Sequence, residues 1–558
     1  MEGYDKVKKL TIHINPPLRV WMFGFGCSDV WMFGCLDVNK LKSFPINIFR
    51  KIRVIRINSC NSYFMKIFTT SQIRQLDEYT IEHEPIASIG LMERAADRLL
   101  QQFKKDWSMN RDVLILAGPG NNGGDGLALG RMLLQIGYEV QVILIHGGKI
   151  SPDCKQNKDR LEQYFPDFFT EQINIFSPPE ITKKTIIVDA LFGSGLSKPL
   201  ENTYAAVVDW INRSGNTVVA IDIPSGLCGE QCAADADPVV KANLTYTLQF
   251  PKTAFFFAEN EKYTGKWKVI DIQLHPGAVA KTETNIYLTE KADIRTMLKP
   301  RERFSHKGTF GHTLIWAGKK GMAGAVVLSA KAALRSGAGL VSVHSVEDNR
   351  VILQSTVPEA IFVSELPDLT NYNSIAIGPG LGTDFQTTEM LFEMLKTMYK
   401  PCVLDADALN IISRHKNFLE FVPENSILTP HPKEFDRLFG ASTHSQERME
   451  KAITAAREHG LVIVLKGANT FISTPAGKLY INFTGNPGMA VGGMGDALTG
   501  IIAGMLAQGY SPVESSISGV YLHGLAGDLA LSSQSEESLL PSDLIQNLGN
   551  AFTTIRKS

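Results

Sequence analysis

The chain has 558 residues, 44 % hydrophobic and 20 % charged, the composition of a soluble globular protein, which at roughly 150 residues per domain predicts two to four domains. Lys+Arg (56) and Asp+Glu (57) nearly cancel, so no global field draws the protein to nucleic acid or to an anionic membrane surface. Seven cysteines without Cys-x-x-Cys or Cys/His spacing support neither a disulfide framework nor a zinc site, and no stretch approaches the roughly 18–20 apolar residues of a membrane span, so a reducing cytoplasm is expected.

Residues 1–64 stand apart. They hold ten Lys/Arg against four Asp/Glu, three of the seven cysteines and a short duplication, VWMFGFGCSD then VWMFGCLDV, with no clean strand or helix period. From Met65 the chain becomes regular, with Ile73, Leu76, Tyr79 and Thr80 at helical spacing behind a Thr/Ser cap. The expectation is that 1–64 is an atypical, dispensable extension or reflects a translation start called too early. A targeting peptide, which the acidic residues argue against, and a real appended element are the alternatives.

In 65–285, VLILA (from Val113) reads as a buried parallel strand, AGPGNNGGDG as a glycine loop, LALGRMLLQIG as a helix stopped by Gly137, and YEVQVILI as a second strand. A βαβ loop at the carboxyl end of its strand and the amino end of its helix suits a phosphate or pyrophosphate. A tight turn that merely needs positive φ is the bland alternative, which Asn121, Asn122 and Asp125 weaken by adding polar groups. TIIVDALFGSGLSKPL and NTVVAIDIPSGL run two more strands into Asp189 and Asp222. Either Asp alone reads as a cap or turn former; carboxylates at consecutive strand ends, each beside glycine, favour a shared crevice.

GPGNNGGDG, VDALFGSGL and IDIPSGL resemble the signature segments of the NAD(P)H-hydrate epimerase family over essentially all of 65–280. The resemblance implies that Asn121, Asn122, Gly123, Gly124 and Asp125, with Gly193, Ser194, Gly195, Leu196, Ser197, Lys198 and Pro199, line a hydrated dinucleotide. It places Asp222 at the hydrated nicotinamide, and gives K+ the oxygen ligands Asn122, Asp189 and Ser225, a hard set that suits an alkali cation. Asp222 is then the expected acid/base group as the hydroxyl leaves toward an iminium and returns on the other face.

From 290 to 558, strand, glycine turn and helix recur as a second α/β domain. SIAIGPGLG, PCVLDADALN, SILTPHPKEFDRL and LVIVLKGANTFI end apolar strands in Gly, Asp, His or Lys. In NPGMAVGGMGDALTGIIAGMLAQG, glycines lead into an apolar and therefore buried helix starting near Asp496. N–H groups at such a helix start form an anion hole; an Asp that only offsets the helix dipole is the alternative.

This element resembles the active site of ribokinase-like enzymes, and HKGTFGHTLIWAG, GAVVLSAKAALRSGAGLV, GPGLG, DADALN, TPHPKEF, KGANT and GNPGMAVGGMGD together resemble the ADP- or ATP-dependent NAD(P)H-hydrate dehydratase. By that resemblance Ala325, Gly382 and His431 contact the hydrated dinucleotide, Lys466, Gly467, Ala468, Asn469, Thr470 and Gly495 hold ADP or ATP, Mg2+ accompanies its phosphates, and Asp496 is the base. His431 as a loop-packing residue stays open. The whole predicts an α/β protein: an N-terminal Rossmann-like three-layer domain and a C-terminal ribokinase-like α/β domain, repairing NADHX and NADPHX by epimerisation and dehydration, and a homo-oligomer. The alternative is a ribokinase-like small-molecule kinase fused to a noncatalytic dinucleotide-binding module.

Overall fold

The computed structural model describes residues 9–14, 18–24, 31–36 and 64–557. Within the first segment, strands Lys9–Ile14, Leu18–Gly24 and Trp31–Leu36 pair antiparallel in chain order. The sequence showed no strand period there. The reason is that the two VWMFG copies form continuous apolar runs, rich in Val and aromatic residues that favour strands without the alternation that announces one.

The rest carries two sheets. In the smaller, the strands lie in the order Lys266–Ile270, Leu244–Leu248, Thr217–Ile221, Ile186–Ala190, Val113–Ala117, Val140–His146 and Phe169–Ile173, all parallel. Alternate residues feed opposite layers. Val113, Ile115 and Ala117 pack with Leu99 and Phe103 of helix Ser88–Asp106 and Leu127 of helix Asn121–Gln135, while Leu114 and Leu116 pack with Val207 and Ile211 of helix Asn202–Ser214. Both faces of Val113–Ala117 are covered, which is why VLILA reads as an unbroken apolar run.

The larger sheet has eleven strands, in the order Ile361–Val363, Leu340–His344, His312–Trp316, Ser374–Ile377, Val403–Leu404, Ile427–Leu428, Val462–Leu465, Thr470–Ser473, Leu479–Asn482, Ile286–Leu288 and Met65–Ile67. The first seven are parallel and the next two antiparallel. Ile315 faces the helices Ala323–Arg335 and Met494–Ala507, and Leu314 faces the layer holding Leu409 and Phe435, so this half is also three-layered. The α/β expectation holds in both halves. At the far edge, Met65–Ile67 pairs antiparallel with Ile286–Leu288, so the first strand after residue 64 is built into the second sheet. The halves also touch where Asn469 Nδ2 donates to the Phe256 carbonyl (3.1 Å) and Ser445 N–H to Glu259 Oε1 (2.9 Å).

Candidate functional sites at the two sheet edges

Strands Val113–Ala117, Ile186–Ala190 and Thr217–Ile221 are neighbours in the sheet, so their carboxyl ends open on one crevice. The expected glycine loop is shorter than its composition suggests, because the helix already begins at Asn121. Its glycines serve packing: a Cβ on Gly123 would lie 1.8 Å from the Gly118 carbonyl oxygen, and one on Gly126 would lie 2.5 Å from Ala190 Cβ. Only Gly120, with nothing within 4 Å of an added Cβ, leaves open space.

Asn122, Gly193 and Asp222 meet. A Cβ on Gly193 would stand 3.3 Å from Asn122 Cβ and 3.4 Å from Asp222 Oδ2. Asn122 is 8 % exposed, yet neither Oδ1 nor Nδ2 has a hydrogen-bond partner, an orphaned amide that needs explaining in a buried position. Ser225 Oγ donates to Asp189 Oδ1 (2.6 Å) and Ser225 N–H to Asp189 Oδ2 (2.7 Å); burial pushes the Asp189 carboxyl up to about 6. Asp125 is buried in the same helix, and burial with the Asp222 and Asp77 charges raises it well above the carboxylate range. Of 193–199, Ser194 N–H donates to Asp222 Oδ2 (3.3 Å) while Gly195, Ser197, Lys198 and Pro199 are exposed; Arg74, on helix Thr70–His83, reaches within 3.2 Å of a Cβ placed on Gly195.

Asp222 sits at φ 65°, a left-handed conformation of the kind held only where surrounding structure enforces it. The partner of its side chain is Lys252, which sequence reasoning missed. Its Nζ, on a residue 2 % exposed, donates to Asp222 Oδ1 (2.5 Å), Thr247 Oγ1 (3.0 Å) and the Phe250 carbonyl (3.1 Å). Burial alone would raise the Asp222 carboxyl; the Lys252 charge and hydrogen bond outweigh it and hold the group below its usual value. Asp77, also missed, goes the other way: burial and then the Asp222 charge push it up to about 7. A lysine inside the apolar run QFPKTAFFF was the available signal for Lys252. Asp77 offered none beyond a carboxylate beside Leu76.

At the larger sheet, Gly493 (φ 96°) starts helix Met494–Ala507 and brings Gly495 against Lys466: a Cβ there would lie 3.3 Å from Lys466 Nζ. Lys466 Nζ donates to Asp405 Oδ1 (2.8 Å), and Thr499 Oγ1 to Asp405 Oδ2 (2.7 Å). Asp405, at the tip of strand Val403–Leu404, was not singled out in the sequence although it opens DADALN. Asp496 makes no side-chain hydrogen bond or ion pair among the described residues; burial, then Asp405, push it up to about 6. Ala325 packs on the same corner, its Cβ 3.1 Å from a Cβ placed on Gly380, and Ser329 of its helix donates to the Asp496 carbonyl (3.0 Å). Gly382 (φ 87°) donates its N–H to Asp407 Oδ2 (2.8 Å). His431 caps helix Pro432–Phe439, its Nδ1 accepting from Lys433 N–H (3.1 Å), with the ring 45 % exposed; burial lowers its pKa, so the imidazole stays neutral. Gly467 and Ala468 are exposed at the turn before Thr470, and Asn469 alone points elsewhere, to Phe256.

Family models match both halves: "NAD(P)H-hydrate dehydratase" over residues 313–550 and "YjeF-related protein N-terminus" over 88–254. Among solved structures, the ADP/ATP-dependent NAD(P)H-hydrate dehydratase of Bacillus subtilis, co-crystallised with ATP and Mg2+, is 33 % identical, covering 48 % of this chain and 97 % of that one at a TM-score of 0.43. Bifunctional NAD(P)H-hydrate repair enzymes of Moorella thermoacetica (36 % identity, 87 % of this chain, 96 % of the relative) and Coxiella burnetii (35 %, 86 % and 98 %) are similar over most of the chain. With identity at that level across nearly the full length of such relatives, the chain belongs to the family of bifunctional NAD(P)H-hydrate repair enzymes.

Proposed function

We propose that the smaller-sheet crevice interconverts the R and S hydrates of NADH and NADPH, and that the larger-sheet crevice dehydrates the S form at the expense of a nucleoside phosphate. The observation that carries the first activity is the buried Asp222 carboxyl, bonded to Lys252 Nζ (2.5 Å) beside Gly193 and the unpartnered Asn122; burial and the Asp222 charge push the Asp77 carboxyl up to about 7. The hydrated carbon bears a hydroxyl and adjoins the ring nitrogen. Asp77 protonates the departing hydroxyl, the nitrogen lone pair forms the iminium, and water returns on the other face, its released proton passing through solvent to restore the Asp77 carboxyl. The ionised Asp222 stabilises the cationic ring. Residues Asn121–Asp125 and Gly193–Pro199 position the dinucleotide. For K+, the unpartnered Asn122 amide is the fit: its Oδ1, Asp189 and Ser225 would hold the ion, which supplies positive charge beside the substrate's phosphates.

In the second crevice Asp496 takes the proton of the hydrate hydroxyl as that oxygen bonds to the terminal phosphorus of the nucleotide and the bridging P–O bond breaks. The nitrogen lone pair then expels phosphate, and loss of a proton from the adjacent carbon restores the ring double bond. A base at about 6 is ionised at neutral pH yet still accepts a proton. Lys466–Thr470 and Gly495 hold the nucleotide, with N–H groups at the helix start receiving charge on the transferred phosphoryl. Mg2+ would accompany the nucleotide's phosphates here and supply charge that screens them during transfer. Substrates are thus NADHX, NADPHX and ADP or ATP. The test is separate assay of the two steps: R/S interconversion without nucleotide, and return of dihydronicotinamide absorbance from S hydrate with it.

A further inference from the structure

A cavity of about 580 Å³ opens beside the larger-sheet crevice, lined by Asn410, Ser413, Arg414 and Arg437, a size usual for small-molecule sites. The first three come from the end of helix Ala406–Arg414 and the last from helix Pro432–Phe439. Its charge is unbalanced. Arg414 Nη1 donates to Thr383 Oγ1 (3.1 Å) and Arg437 Nη1 to Asn410 Oδ1 (2.5 Å), both neutral oxygens, and neither guanidinium has an ion pair among the described residues. The nearby carboxylates are engaged: Asp436 takes two bonds from Arg448 (both 2.9 Å), and Asp407 accepts from Gly382 N–H (2.8 Å) and Asn410 Nδ2 (3.3 Å).

Those last two bonds join the cavity to the reaction centre. Gly382, Asp407, Asn410 and Arg437 form one hydrogen-bonded chain, Arg414 holds the residue next to Gly382, and Arg437 lies six residues on from His431 in the helix that His431 caps. Two unpaired guanidinium forks facing one cavity match a phosphate. We propose that this cavity is the subsite that receives a phosphate of the hydrated dinucleotide during dehydration, with Arg414 and Arg437 as its ligands. It rests on the dehydratase reading above. The donor nucleotide has a separate cation, Lys466, whose Nζ lies 3.3 Å from a Cβ placed on Gly495.

The test is the steady-state kinetics of the full chain with S-NADHX and S-NADPHX at saturating donor, comparing Arg414→Ala, Arg437→Ala, the double variant and Arg437→Lys. The double variant should raise the hydrate KM about tenfold or more, as loss of charge-assisted bonds does. Its kcat, donor KM and Tm should stay near those of the unaltered chain, and Arg437→Lys should recover part of the loss. A rise for both hydrates identifies the shared diphosphate as the group bound; a rise for S-NADPHX alone identifies the 2′-phosphate. An unchanged hydrate KM, or a rise confined to the donor KM, overturns the proposal while leaving dehydration by the unaltered chain intact. Absence of that dehydration would instead remove the functional reading beneath it.

Discussion

Asp222, Asp77 and Asp496 have three environments and therefore three proton affinities. Asp222→Asn keeps the shape but removes the negative charge assigned to the cationic ring and leaves Lys252 without its counter-charge, and should reduce R/S interconversion to the spontaneous rate; chiral chromatography of a resolved R hydrate reads this directly. If Asp77 must be protonated to release the hydroxyl, epimerisation falls as pH rises through about 7, and Asp77→Asn both slows it and flattens that inflection. For dehydration the sign reverses. If Asp496 is the base and works ionised, the rate falls as pH drops through about 6, and Asp496→Ala loses about 10²- to 10⁴-fold in kcat. Lys252→Met strands Asp222 without its partner, and breaking such a buried pair costs about 3–5 kcal/mol, measurable as a lower urea midpoint. The folded-state depression of Asp222 stabilises the native state above the ordinary carboxylate pKa, and that contribution fades as pH falls toward the depressed value.

Among elements, the helix that begins at Asn121 separates two uses of glycine. Gly123→Ala drives a methyl to 1.8 Å from a backbone oxygen and should destabilise the protein by about 3 kcal/mol, whereas Gly120→Ala meets open space and should leave Tm unchanged while raising the hydrate KM of the epimerase. The central strands of the smaller sheet were legible in the sequence because they are buried on two faces: VLILA is wholly apolar, IIVDA is apolar up to Asp189, and TVVAI is apolar after its first residue and leads into Asp222. The helical start of NNGGDG was hidden, since glycine disfavours helices and reads as loop; only the packing against Gly118 and Ala190 explains it. Lys252 and Asp77 were illegible for a related reason. Each acquires its chemistry from a partner distant in sequence, Asp222, and single-residue composition carries no trace of that pairing.

Over the whole molecule, Met65–Ile67 and Ile286–Leu288 close the edge of the larger sheet, and Asn469, in the segment assigned to the nucleotide, is hydrogen-bonded to Phe256 of the other half. A chain starting at Met65 loses the three strands between Lys9 and Leu36 but keeps every strand of the seven- and eleven-stranded sheets, and we expect it to be soluble and active in both steps; one starting after Ile67 loses the edge strand and should melt lower. If the two crevices act on one carbon of one substrate, as proposed, either activity alone leaves repair incomplete. The most direct measurement follows dihydronicotinamide absorbance when the purified chain meets a mixture of R and S hydrates with ADP, then with ATP. Complete recovery, reduced to the S fraction plus a slow spontaneous phase in Asp222→Asn, is the predicted result; a stable phosphorylated product with no return of absorbance would contradict it.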